Sequence, residues 1–105
     1  MREMTGDAMV FESLLSLYYD EIAKYFLDRK ILDILDGFIV YCNAKDIFDE
    51  TNIVETMEII YNPRLMMSKS ELKEKLALSD SSLYRLRVKI VSSLHKYMSK
   101  KLGDK

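Results

Sequence analysis

The chain has one cysteine, one proline, three glycines, one histidine and no tryptophan in 105 residues. Each scarcity excludes something. A lone cysteine, Cys42, makes no internal disulfide, so a disulfide-stapled secreted scaffold is excluded and a reducing, cytoplasmic setting is expected. One histidine and one cysteine cannot supply the Cys/His spacing of a zinc site. So few breakers do not suit the many short strands of a sandwich or barrel, and helices are expected instead. No apolar run approaches the roughly 20 residues that span a bilayer. The first residues, with Glu3 and Asp7 and no long apolar stretch, do not read as a signal peptide. No membrane partner is therefore expected. Glycine-rich phosphate cradles of the forms G-x-x-x-x-G-K-[ST] and G-x-G-x-x-G are missing. Asp46, Asp49 and Glu50 lack the spacing and glycine of an EF-hand. Asp33 and Asp36 read as an ordinary acidic helix face, and His95, among lysines and serines, as a surface histidine. These residues form no catalytic constellation, and neither a metal, a cofactor nor an enzyme activity is expected.

What is present points to one small globular domain spanning residues 1–105. Hydrophobic residues make up 49% and charged residues 31%, enough for one modest core. A formal charge of −1 hides a division. Residues 1–60 carry 5 basic and 13 acidic side chains, whereas residues 61–105 carry 11 basic and 4 acidic. Such polarity implies a basic surface for a polyanion in the second half. The acidic part, residues 7–62, would face away from that polyanion and is free for a protein partner. The alternative reading of the same division is that the two halves attract each other, and the two readings are compatible.

Hydrophobic periodicity sets the expected elements. Residues 1–6 are expected to be loose, with Asp7 capping a helix that runs to about Lys30. Phe11, Leu15, Tyr18, Ile22 and Tyr25 recur along it at spacings of four, three, four and three. This amphipathic stripe is either core or a dimer and partner interface, where aromatics supply contact area at little entropic cost. Ile31, Leu32, Leu35, Ile39 and Cys42 continue an apolar face, with a break or bend expected at Gly37. Cys42 reads as a small buried residue. Residues 38–41 have a strand-like composition but no partner strand, and are assigned to a helix. Residues 46–61 read as helical, with Ile47, Ile53, Val54, Met57, Ile60 and Tyr61 as apolar positions. Asn62-Pro63 ends that helix, because proline pushes the preceding residue out of the helical region. The seven methionines read as gap-filling core, with adaptable packing of an interface the lesser reading.

Residues 69–88, KSELKEKLALSDSSLYRLRV, carry the most specific pattern. Leu72 and Leu76 share one helical face, and Leu83 and Leu86 begin another. Ser68 with Glu71 forms a capping box. Ser79 is suited to cap a second helix, with Asp80 in its first turn where the helix dipole favours negative charge. Two capped helices joined by a three- or four-residue turn follow from this. At 100° per residue Leu83, Leu86, Ile90 and Leu94 turn inward. Ser81, Tyr84, Arg85, Val88, Lys89, Ser92 and Lys96 lie on or near the opposite side. Arg87 falls on the flank of the buried face, where it would pair or extend along apolar surface. No breaker interrupts residues 88–102, so the second helix extends beyond the motif. Only Gly103-Asp104-Lys105 follow Leu102, so no C-terminal wing is expected. The fold class is all-α with about five helices, in which residues 68–102 form the basic helix-turn-helix part.

The stretch KSELKEKLALSDSSLYRLRVKIVSSL resembles the helix-turn-helix of small bacterial and phage transcription regulators, of the kind in sigma-factor region 4 and the Mga-type regulators. It covers about a quarter of the chain. Two positions depart from the pattern. Lys73 stands where alanine usually packs between the helices, and Ala77 where glycine usually makes the turn. The resemblance implies a transcription regulator that binds duplex DNA as a homodimer, the second helix lying in the major groove. Ser81, Tyr84 and Arg85 would then approach base edges, Lys89 and Lys96 phosphates, and Lys69 with Ser70 further phosphates at the first helix start. The acidic part would dimerise or contact RNA polymerase or another host protein. The alternative is a protein-interaction module, a phage- or plasmid-type inhibitor or adaptor that retains the architecture; the acidic pI of about 5.8 favours it.

Overall fold

A computed structural model describes residues 6–45 and 53–103. Among them all regular structure is helical: α1 (Gly6–Tyr19), α2 (Arg29–Lys45), α3 (Ile53–Tyr61), α4 (Lys69–Leu76) and α5 (Asp80–Lys101). Short 3₁₀ turns at Ala23–Phe26 and Pro63–Leu65 follow α1 and α3. The expected all-α class with about five helices holds, and residues 38–41 lie within α2. Residues 46–52, including Ile47, lie outside the described residues, as do residues 1–5.

The first helix is shorter than its stripe suggests. It stops at Tyr19, not near Lys30, and Asp7 lies within it rather than ahead of it. Asp20 is the physical cause. Its Oδ1 accepts from the amides of Ile22 at 3.0 Å and Ala23 at 3.1 Å, offering them a partner other than a helical carbonyl. Asp28 then restarts the chain. Its Oδ1 accepts from Lys30 N at 2.7 Å and its carbonyl from Leu32 N at 2.9 Å, the signature of an N-cap on α2. The stripe is split as a result. Leu15 is fully buried in the core, Phe11 and Tyr18 are half-buried, and Ile22 and Tyr25 stand exposed in the link that follows α1. Those five residues do not form one surface.

The helix does not break at Gly37; α2 runs through it without interruption. A methyl group on Gly37 would collide with the phenol oxygen of Tyr97, so the missing side chain admits an α5 aromatic against α2. Tyr97 also meets the rings of Phe38 and Tyr41, at centroid distances of 5.7 and 5.2 Å.

Helix α5 is the hub of the core. Its Leu86, Ile90, Leu94 and Met98 pack with Leu15 of α1, Leu35, Phe38 and Cys42 of α2, and Ile53, Met57 and Tyr61 of α3. Cys42 is buried as expected, and burial pushes its thiol up to about 12, so it remains a neutral packing group. A polar clamp accompanies this packing. Glu12 of α1 accepts from Arg87 of α5 through Nε at 2.9 Å and Nη2 at 2.8 Å, and from the Tyr61 hydroxyl of α3 at 2.7 Å. Three helices are thereby fixed to one carboxylate. Helix α3 ends at Tyr61, before Asn62-Pro63, as the sequence implies. Among the described residues, no helix is long and apolar enough to cross a membrane.

Candidate nucleic-acid interface

Local chemistry sets the two helices and the turn between them. Ser68 Oγ accepts from Glu71 N at 3.2 Å, and Glu71 Oε1 accepts from Ser68 N at 2.7 Å. This reciprocal pair satisfies two amides that the helix leaves open. The helix ends on Ala77 at φ 57°, ψ 46°. Ala77 N donates to Glu74 O at 3.3 Å and Leu78 N to Lys73 O at 2.9 Å, the two bonds of a Schellman ending. That ending needs a left-handed residue, for which alanine is less suited than glycine. Ser79 then caps α5, its Oγ accepting from Ser82 N at 3.2 Å. The turn between α4 and α5 is thus three residues, Ala77 to Ser79.

Lys73 has a role that its departure from the usual alanine does not suggest. Its Nζ stands 2.8 Å from Asp80 Oδ1, in the first turn of α5, and Lys69 Nζ stands 3.9 Å from the same oxygen. The Lys73 hydrogen bond, reinforced by both positive charges, holds the Asp80 carboxyl below the usual carboxylate range. The pair closes the turn from the outside. Leu83 and Leu86 anchor α5 from the inside, whereas Leu72 and Leu76 of α4 and Leu78 of the turn are half-buried.

The predicted contact residues fall into two groups. Ser81, Arg85, Lys89 and Lys96 are exposed and share one side of α5. Ser70 is exposed at the start of α4. Tyr84 and Lys69 are half-buried: Tyr84 sits at the edge of the packed face, and Lys69 leans toward Asp80. Arg85 Nη2 donates to Ser82 Oγ at 3.4 Å, one turn back along the helix. Arg85 and Lys89 also border a shallow cleft beside Leu78, Ser82 and Leu86.

The stripe extends further than the motif implies. Lys100 is exposed four residues beyond Lys96, so it continues the same side; the spacing was readable but lay past the resemblance. Lys96 and Lys100 line a groove of about 680 Å³ together with Tyr41, His95, Tyr97 and Lys101. The Lys101 ammonium lies 5.4 Å from the Tyr97 ring centroid. His95 is exposed, as read from the sequence, and stacks on Phe11 at 5.2 Å. At a rise of 1.5 Å per residue, the side from Arg85 to Lys100 is about 22 Å long. No protein-family model, curated protein or solved structure matches the chain.

Proposed function

We propose that this protein is a sequence-specific transcription regulator that binds duplex DNA through α5. The observation that carries the reading is the exposed basic side of α5, Arg85, Lys89, Lys96 and Lys100, on a helix whose start is held by Ser79 and the Lys73–Asp80 pair. Its length decides how it would be used. The major groove is about 12 Å wide, so a stripe of about 22 Å exceeds it. The start of α5, with Ser81 and Arg85, reads base edges, and Lys89, Lys96 and Lys100 reach phosphates at the groove wall. Arg85 offers the planar fork that matches guanine O6 and N7. Ser70 and Lys69 add contacts from the α4 start. The acidic first half is directed away from DNA and mediates dimerisation, which gives two half-sites one helical turn apart.

Anisotropy titration of labelled duplexes with the full chain tests this. Arg85→Ala weakens a preferred site by about 1–3 kcal/mol and relaxes preference at one base pair. Lys89→Ala weakens every sequence alike and lowers the salt slope by about one. A folded Arg85→Ala, Lys89→Ala protein that binds DNA as the parent does contradicts the assignment.

The rival reading is a protein-interaction module, a phage- or plasmid-type inhibitor or adaptor acting on RNA polymerase or another host protein. The exposed Tyr25 and Phe26 and the acidic balance favour it. It requires a stoichiometric complex that Tyr25→Ala abolishes and Arg85→Ala leaves intact.

A further inference from the structure

The link between α1 and α2 and the link between α3 and α4 carry large apolar side chains that pack against nothing in the core. Ile22 is 60% exposed, Tyr25 77%, Phe26 86%, Leu65 47% and Met66 87%. Arg64 Nε donates to Asp20 Oδ1 at 3.0 Å, which draws the two links together. Asp20 also holds the amides of Ile22 and Ala23, so one carboxylate organises both turns. Met66 adds a second peculiarity: it holds a left-handed backbone at φ 50° while its side chain points into solvent. That conformation costs a side-chain-bearing residue about 1 kcal/mol or more, and no packing within the described residues offsets it.

Size argues for an interface. Tyr25 and Phe26 alone offer roughly 300 Å² at their exposures. With the other three side chains the exposed apolar area of the two linked turns is on the order of 600 Å², most of the about 800 Å² per partner in a standard interface. Charge selects the partner. Residues 1–60 hold 13 acidic and 5 basic side chains, yet residues 20–30 hold Asp20, Glu21 and Asp28 against Lys24, Arg29 and Lys30, and the second link adds Arg64, which pairs with Asp20. Three of the five basic groups of that half lie within this short stretch. A balanced rim around an apolar centre can meet its own copy without net repulsion, which a twofold contact requires. A surface selected for a nucleic acid or a strongly charged protein would carry one sign.

We infer that Ile22, Tyr25, Phe26, Leu65 and Met66 form the twofold interface of a homodimer. As the dimer of a DNA reader it rests on the function proposed above; the contact itself does not.

Sedimentation equilibrium of the full chain, with Phe26→Glu and Tyr25→Glu variants, tests it. All of these residues are exposed, so helical circular dichroism should be unchanged in each variant. The expected result is a parent of twice 12.3 kDa and variants whose association is weakened about 30-fold or more. A parent that stays monomeric at about 100 μM, far above a micromolar Kd, overturns the proposal. So does a dimer that both variants leave intact. If the parent dimerises, the variants do not, and no duplex is bound, the interface stands and the DNA reading falls.

Discussion

Glu12 and Arg87, 75 positions apart, form a two-pronged ion pair at 2.8 and 2.9 Å that ties α1 to α5. The Tyr61 hydroxyl shares the same carboxylate at 2.7 Å. Removing the carboxylate leaves a guanidinium and a phenol without their acceptor in a partly buried setting. Glu12→Ala is therefore expected to destabilise the fold by about 2–3 kcal/mol. Replacing both partners with apolar groups, Glu12→Leu with Arg87→Met, recovers much of that loss, because neither charge is then left alone. Urea unfolding of Glu12→Leu, Arg87→Met and the double variant measures the coupling. Additive losses would show that the clamp contributes little.

Ala77 occupies φ 57°, ψ 46°, so Ala77→Gly relieves backbone strain at the turn. The relief of about 1–2 kcal/mol is partly offset by the greater freedom of glycine in the unfolded chain, leaving a gain of about 0.5–1 kcal/mol. Ala77→Val is destabilising, since a β-branched side chain tolerates that backbone less well. A rise in the urea midpoint for glycine and a fall for valine are the expected results.

Much of this was legible in the sequence. Ser68, Glu71 and Ser79 announced both helix starts of the last half, and the leucines gave their inner faces. The need for a left-handed residue at Ala77 followed from the motif. What escaped had two physical sources. Asp20 and Asp28 stop and restart the chain through side-chain hydrogen bonds, and a heptad-like run of apolar residues masked that weaker local signal. Gly37 reads as a break or bend because its partner, Tyr97, lies in another helix and only tertiary packing reveals it. The basic side of α5 was found, but its extension to Lys100 and the Lys73–Asp80 contact were not. The spacing of the five-residue stripe implies one face, but Leu15 is core while Ile22 and Tyr25 are exposed.

Gly37 and Tyr97 make a reciprocal prediction. In the parent, Gly37→Ala brings a methyl group onto the Tyr97 oxygen, an overpacking that costs about 1–3 kcal/mol and outweighs or cancels the helix gain. In a Tyr97→Phe background the next atom, Cζ, is 3.4 Å away, an ordinary contact. There Gly37→Ala should stabilise by about 0.5–1 kcal/mol, the usual advantage of alanine within a helix. Equal effects in both backgrounds would contradict this packing.

Alkaline pH should loosen the clamp. Burial first, and then the charge and hydrogen bond of Glu12, raise the Tyr61 hydroxyl above its ordinary value of 10.0. Burial likewise raises Tyr18, whose hydroxyl donates a hydrogen bond to Asp36 Oδ1 at 2.6 Å. A group raised by folding contributes stability fully below its unfolded pKa and loses it as pH climbs toward the folded value. Their contribution is therefore level up to about pH 9 and falls above about pH 10. Tyr61→Phe should lower stability at pH 7 by about 1 kcal/mol and flatten the alkaline decline. A decline equally steep in Tyr61→Phe would remove Tyr61 from the explanation.

The most direct test of DNA reading is selection from a random duplex pool with the full chain, repeated with Arg85→Ala. The account predicts an enriched motif, palindromic with half-sites about one helical turn apart, and loss of one specified base pair per half-site in the variant. No enrichment and no binding at low salt would contradict it, since a helix that engages phosphates binds most strongly there.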